Sequence, residues 1–410
     1  MIRGVSASGV FPKTILRGLL LLVLFALAGS RQTYAQSTFK LLHTFTGPDG
    51  SNPSGDLVRD SAGNLYGVTS VGGVNCTNQN IQGCGTLFQI TPSGVFSVLY
   101  MFTGGTDGAN PIGGLTLSSN GDLFGTTYGG TCLPSQPGTC GSIFKFSQAS
   151  GFALLHDLDP VTEGWRPAGP LTLDSHGNIY GTTSLYGYPH FKSGAVFKLT
   201  PGGSLTVLHV FSAPTDGISP GGRLLLDSAG NLRGTTQLGG TGCVHQSGCG
   251  TIFKIDAAGN ESIFEDFVYQ TGWSVGPSLV QDSAGNFFGT TFGWKACCGT
   301  VYKVNSAGVK TVLHTFTQRK IEGAHPLGVV RDAAGNLYGT NQSGGPNFIG
   351  TVFKISTAGK ETILHNFAGG ADGSIPRGSV ILDPQGNLYG TSFPLNENLP
   401  GGTVFELTFP

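Results

Sequence analysis

Charge, methionine and long apolar runs are all scarce in this chain, and each scarcity removes a class of protein. Charged residues make up 11% of 410 positions, under half the usual share. With only 2 methionines against 68 glycines, helix is not expected beyond the extreme N-terminus. Lysine and arginine number 22 against 23 acidic residues, and no basic block is present that would neutralise a run of phosphates. Nucleic acid is therefore no expected partner. No long apolar stretch follows Ala28, so no membrane span is expected in the mature chain. Nucleophile-elbow and metal-ligand spacings are missing too, and neither a metal nor a cofactor is expected.

What is present begins with an export segment. Arg3, Lys13 and Arg17 precede the apolar run Leu19 to Ala28, and Thr33-Tyr34-Ala35 offers small residues at the cleavage positions before Gln36. Residues 1–35 read as a secretory signal peptide, since about ten apolar residues are too few to cross a bilayer of roughly 30 Å. The mature chain, 36–410, is expected to be one soluble domain in the periplasm or outside the cell.

That domain is a sevenfold repetition. DxxGNLYGTT-like strings start at Asp60, Ser118, Asp174, Asp227, Asp282, Asp332 and Asp383, a period of 50 to 58 residues that signals a propeller or a solenoid. Each repeat holds four short apolar runs bounded by Gly, Pro, Asn or Asp, hence four strands. Before the first string stands only an outer-strand phrase, Phe39 to Phe45, and after the last only a third-strand phrase, Gly402 to Leu407. Every strand type then occurs seven times only if the N-terminal strand completes the C-terminal blade. The expectation is an all-β, seven-bladed β-propeller of four-stranded blades, closed by its two ends. A solenoid is the alternative, disfavoured because it calls for atypical capping repeats.

Most repeated residues have structural explanations. In DxxGN the Asp accepts backbone N–H groups while Gly and Asn tolerate positive φ; calcium there is the weaker reading. Gly67 and its six counterparts leave room in the second strand for an aromatic or backbone of the next blade. Third-strand aromatics such as Phe88 fill the gaps between blades. His43, His156, His209, His314 and His365 share one outer-strand position, one per blade, and so look unable to converge on one ion. Cys76 and Cys84, Cys132 and Cys140, and Cys243 and Cys249 bracket equivalent loops, consistent with three local disulfides. Cys297 and Cys298 form either a vicinal disulfide or two free thiols.

Tandem DxxGNLYGTTxxGG, GTVFK and TVLHxF units behind an export segment resemble the Gloeo/Verruco tandem repeat family of exported bacterial proteins, over residues 39 to 409. The resemblance implies a propeller-like fold and often a surface-anchoring tail, which is not visible here. It carries over no activity and no catalytic residues.

Function is expected where the copies differ, on the face that gathers the second-to-third-strand loops and the links between blades. Trp165, Trp273 and Trp294 all fall there, with Tyr128, Tyr186, Tyr188, Arg166 and Arg377 beside them. They suit a platform for sugar rings or a protein, unless each Trp folds back over its own blade. The links also carry Asp49, Asp107, Glu163, Asp216, Glu322 and Asp372, which either ring the channel mouth or serve as Asp-Gly turns. Two functions follow. One is a non-catalytic binding or scaffold propeller for an envelope or extracellular polysaccharide or protein; the other is a hydrolase or lyase working at the channel mouth, with acid and base among Glu163, Glu322, His325 and Asp372. Thiol titration of the denatured, unreduced chain should find at most the Cys297 and Cys298 thiols, and reaction of all 8 cysteines would overturn the stapled loops.

Overall fold

Each repeat folds into one antiparallel sheet, because its apolar runs are joined by turns that only Gly, Asn and Asp make easily. The computed structural model describes residues 37–73, 76, 83–129, 141–185, 193–212, 215–243, 248–269, 272–293, 298–317, 319–395 and 401–409. In the first blade the strands run Ser51–Arg59, Leu65–Val71, Thr86–Ile90 and Phe96–Met101, in that order from inner to outer. Seven such four-stranded sheets form the ring. The last contains Ile381–Leu382, Leu388–Ser392 and Thr403–Thr408, and its fourth strand is Thr38–Thr44, paired from Thr38↔Thr408 to Thr44↔Thr403. No α-helix occurs among the described residues, and so none long and apolar enough to cross a membrane.

The motif residues explain the packing. Gly67 pairs with Phe88 across the second and third strands of one sheet, and a Cβ on Gly67 would lie 2.4 Å from the Phe88 ring. The close neighbour expected from the next blade thus belongs to the same blade, because the aromatic lies flat over its own cross-strand glycine. From there Phe88 reaches the seam, in a buried cluster with Phe45, Leu57, Tyr389 and Val404. Burying one such ring contributes about 1.5–3 kcal/mol. At the DxxGN turn Asp60 accepts the Asn64 N–H at 2.8 Å, the Asn64 side-chain amide at 2.7 Å and the Tyr66 hydroxyl at 3.0 Å. Burial alone would push this carboxyl up, yet those bonds hold it below the usual value. The carboxylate is fully engaged in turn chemistry.

Blades meet where the third strand starts. Gly85 has a φ of 98°, and a Cβ there would lie 2.3 Å from Thr69 O and 2.7 Å from Pro111 Cδ of the next blade. The same Gly–Pro contact joins Gly194 to Pro220, Gly299 to Pro326, Gly350 to Pro376 and, across the closure, Gly402 to Pro53. Beside it the residue at the start of each inner strand is left-handed: Asn52, Asn110, Arg166, Ser219, Ser274, His325 and Ile375 have φ between 48° and 62°. In Asn52, Asn110, Ser219, Ser274, His325 and Ile375 the N–H reaches back to the previous blade, as Asn110 does to Cys84 O at 2.8 Å. For Ile375 this is a costly conformation, held in place by the seam.

Disulfides Cys76–Cys84 and Cys243–Cys249 span 5.2 and 5.6 Å between Cα atoms. Cys298 is also disulfide-bonded. Cys132, Cys140 and Cys297 lie outside the described residues, as do residues 1–36.

Hydroxyl pairs tie the second strand to the third at the same end: Thr69 to Thr86 at 2.8 Å, Thr236 to Thr251 at 2.9 Å and Thr291 to Thr300 at 2.7 Å. In the third blade Ala195 faces Thr183, whose buried Oγ1 has no hydrogen-bond partner among the described residues. Ala195→Thr should therefore raise stability by about 1 kcal/mol in urea unfolding; an unchanged or lower midpoint would show that the third blade has no room for the added hydroxyl.

Candidate ligand site along the ring axis

Aligned on the DxxGN strings, the inner strands bring Asp56, Gly114, Pro170, Arg223, Ser278, Gly328 and Ser379 to one register position. Small residues and proline dominate because neighbouring inner strands nearly touch: a Cβ on Gly55 would lie 2.4 Å from Gly114 N, and one on Gly169 2.5 Å from Gly222 Cα. The two exceptions carry opposite charges. Asp56 Oδ1 accepts the Ser379 N–H of the seventh blade at 2.8 Å. Arg223 reaches from the fourth blade to the second and third, donating to Leu115 O at 3.1 Å, Leu171 O at 3.0 Å and Thr116 Oγ1 at 3.2 Å.

An axial cavity of about 880 Å³ is lined by inner-strand residues of every blade, with Asp56, Arg59, Arg223 and Arg377 as its charged members. Burial raises the Asp56 carboxyl above the usual range, although the Ser379 amide and the Arg223 charge pull the other way. Burial likewise lowers the Arg223 guanidinium, against the attraction of Asp56. Desolvation thus outweighs mutual attraction for both partners. Neither residue stands out in sequence until the seven inner strands are superposed, when two charges appear at a position otherwise held by Gly, Pro or Ser.

Basic groups cover aromatic rings on the face where the links emerge. Tyr128 and Phe393 each follow the second strand of their blade; Arg166 Cζ lies 4.9 Å from the Tyr128 ring centroid and Arg377 Cζ 4.7 Å from that of Phe393. Phe292, at the same position, stacks on His325 at 4.6 Å. Arg166 also lies 4.7 Å over Trp165, which is only 7% exposed and occupies the first position of an inner strand. Trp165 is therefore packed into its blade and offers no open face, and Trp273 packs partly buried against a core cluster. Trp294, Tyr186 and Tyr188 lie outside the described residues.

The link carboxylates turn toward the outer strands and the turn backbone. Asp49 meets His43 at 2.8 Å, Glu163 meets His156 at 2.7 Å and Asp372 meets His365 at 3.1 Å. Asp107 accepts the Tyr100 hydroxyl at 3.0 Å, Asp216 lies 3.6 Å from His209, and Glu322 accepts the Thr317 N–H at 2.7 Å. None of the six lines the axial cavity. Each sits just beyond a strand end, where unpaired backbone N–H groups need an acceptor, and the Asp-Gly turn describes them.

Asp56 ionises near 3.8 in the unfolded chain and higher in the folded one, so stability present below that value is lost as pH rises through the folded one. Asp56→Asn keeps an acceptor for Ser379 and removes the buried charge. In denaturant unfolding the variant should be more stable than wild type near pH 7, with the gap closing near pH 4; a gap independent of pH would refute the assignment.

A family model described as the Gloeobacter/Verrucomicrobia repeat matches residues 29–246 and 242–410. No curated protein matches. Among solved structures, virginiamycin B lyase from Staphylococcus aureus is similar with a TM-score of 0.60 at 12% identity, over 92% of this chain and 100% of that one. A periplasmic gluconolactonase from Pseudomonas aeruginosa gives 0.49 at 13% identity, over 82% and 98%. At such identities the likeness concerns the fold alone. With the family match spanning both halves and seven sheets built from its repeat, the chain belongs to the Gloeobacter/Verrucomicrobia repeat family.

Proposed function

We propose that this propeller is a non-catalytic binding protein that takes an acidic polysaccharide on its loop face, at the mouth of the axial cavity. The observation that carries the reading is the pair of guanidinium–aromatic stacks, Arg166 on Tyr128 and Arg377 on Phe393, at equivalent ends of two blades. A guanidinium held over an aromatic ring is preorganised, so little rotamer freedom is lost when it forks onto a sugar carboxylate or sulfate. Arg377 is exposed and lines the cavity, and arginine outnumbers carboxylate three to one among its charged lining residues. The Asp56 carboxyl, which burial raises above its usual value, favours a second reading, a lyase or hydrolase with Asp56 as proton donor.

Binding of residues 36–410 to immobilised uronate, sulfated and neutral polysaccharides separates the two. Saturable binding to the acidic polymers is expected, weakened by salt and lost in Arg166→Ala/Arg377→Ala. Equal retention by that variant, or a preference for neutral polymers, would reject the proposal. Release of cleaved product that vanishes in Asp56→Asn would establish the enzyme instead.

A further inference from the structure

A second belt of contacts runs round the outside of the ring. At three seams the first residue of an outer strand's x-x-x-x-His phrase, a Phe, packs against the His position of the preceding blade. His43 stacks on Phe96 at 3.6 Å, Tyr100 on Phe152 at 4.3 Å, and His365 on Phe39 at 4.2 Å, across the closure. With its ring covered, each of these residues hydrogen-bonds the carboxylate of its own link, at 2.8, 3.0 and 3.1 Å. Stacking and the link acid together satisfy the side chain.

Between the fifth and sixth blades that arrangement is replaced. Glu361 stands where the sister copies carry Phe39, Phe96 and Phe152, and its Oε2 lies 3.8 Å from His314 Nε2. Glu322 comes from the link between the two blades. Ligand atoms of all three residues lie within 4.8 Å of one another, the one such group found among the described residues. The Glu361 side chain is only 10% exposed, and neither its Oε1 nor His314 Nε2, both buried, has a hydrogen-bond partner among the described residues. The backbone at Gly359 hydrogen-bonds the imidazole. Burial, and then the negative charge of Glu322, push the Glu361 carboxyl up to about 8. Two acids and an imidazole are thus gathered at a buried seam with Glu361 Oε1 and His314 Nε2 unused. One acid would have been enough, as the sister blades show.

We propose that His314, Glu322 and Glu361 form a binding site for a divalent transition-metal ion, Zn²⁺ foremost, that joins the outer strands of the fifth and sixth blades. One imidazole nitrogen and two carboxylates make a borderline donor set suited to Zn²⁺, with a fourth position left for water; Ca²⁺ asks for six to eight oxygens. A cation would supply the missing partner for Nε2 and Oε1 and offset the repulsion between the two glutamates. From sequence the rim histidines look too far apart to share an ion. The site escapes that objection because its other ligands come from the adjoining link and the next blade, not from other histidines. It stands independently of the loop face.

The sister seam supplies a control. His209, Asp216 and Glu261 repeat the chemistry two blades earlier, but their donor atoms do not reach the spacing of the His314 group. Chelator-treated, unreduced protein would be titrated with ZnCl₂ by calorimetry, and its melting followed with and without the metal. One equivalent of Zn²⁺ and a raised Tm are expected for wild type and for Glu261→Phe. Glu361→Phe installs the residue of three sister copies and His314→Tyr that of the first blade, Tyr100; each should weaken binding by more than the ~100-fold that losing an outer-sphere partner can cost. Circular dichroism checks that both variants fold. No saturable uptake by wild type up to about 1 mM, an affinity of roughly -4 kcal/mol, would overturn the site. So would wild-type binding by a folded Glu361→Phe or His314→Tyr protein.

Discussion

The whole ring depends on how closely one blade can approach the next at the start of the third strand. There a glycine with positive φ leaves no Cβ between the second-strand carbonyl and the proline ring of the following blade, as Gly85 does between Thr69 and Pro111. A side chain at that point would clash with backbone on one side and a rigid ring on the other. The contact with proline recurs at six of the seven seams, Val275 taking its place against Gly250, so nearly the same few atoms set the angle between blades. The left-handed residue before the proline completes the seam by donating its N–H backward, and it holds even isoleucine in a conformation that costs energy. Strain at Ile375 is thus a consequence of closure, and the same position presents Arg166 and His325 to the loop face.

Repetition makes exceptions informative. At the inner-strand waist, five of seven copies carry Gly, Pro or Ser because the strands leave no room for more. Asp56 and Arg223 break that pattern, and each finds backbone partners in other blades. On the outer belt His or Tyr stacks on Phe at three seams, and Glu361 replaces that stack by placing a second carboxylate against His314. In the third blade Ala195 breaks the hydroxyl ladder and leaves Thr183 without its usual partner. A departure from a sevenfold rule has no help from symmetry, so its cost must be offset locally or by something bound.

Sequence and structure agree where the chemistry is local and differ where it is not. Asp60 with Asn64 is legible because donors and acceptor lie within one turn. The clasp of Thr38–Thr44 onto Thr403–Thr408 is legible because strand types can be counted. Trp165 misleads: its place in a link suggests an exposed ring, but the link continues directly into an inner strand and takes the indole into the blade. For the link carboxylates the sequence offered the turn and the channel mouth, and the turn holds, since a residue one turn past an outer strand caps that strand before it can face the axis.

By itself the sequence determined the number of blades, the strands in each, the closure by the two ends and the staples Cys76–Cys84 and Cys243–Cys249, all of which follow from period-scale patterning and short-range turn chemistry. Only the tertiary structure decided which blades' residues share a space: Asp56 and Arg223 along one axis, Arg166 over Tyr128, and His314 against Glu361. Those partners lie in different repeats, and their meeting depends on the angle at which blades pack. The spacing of residues within one repeat does not contain that angle.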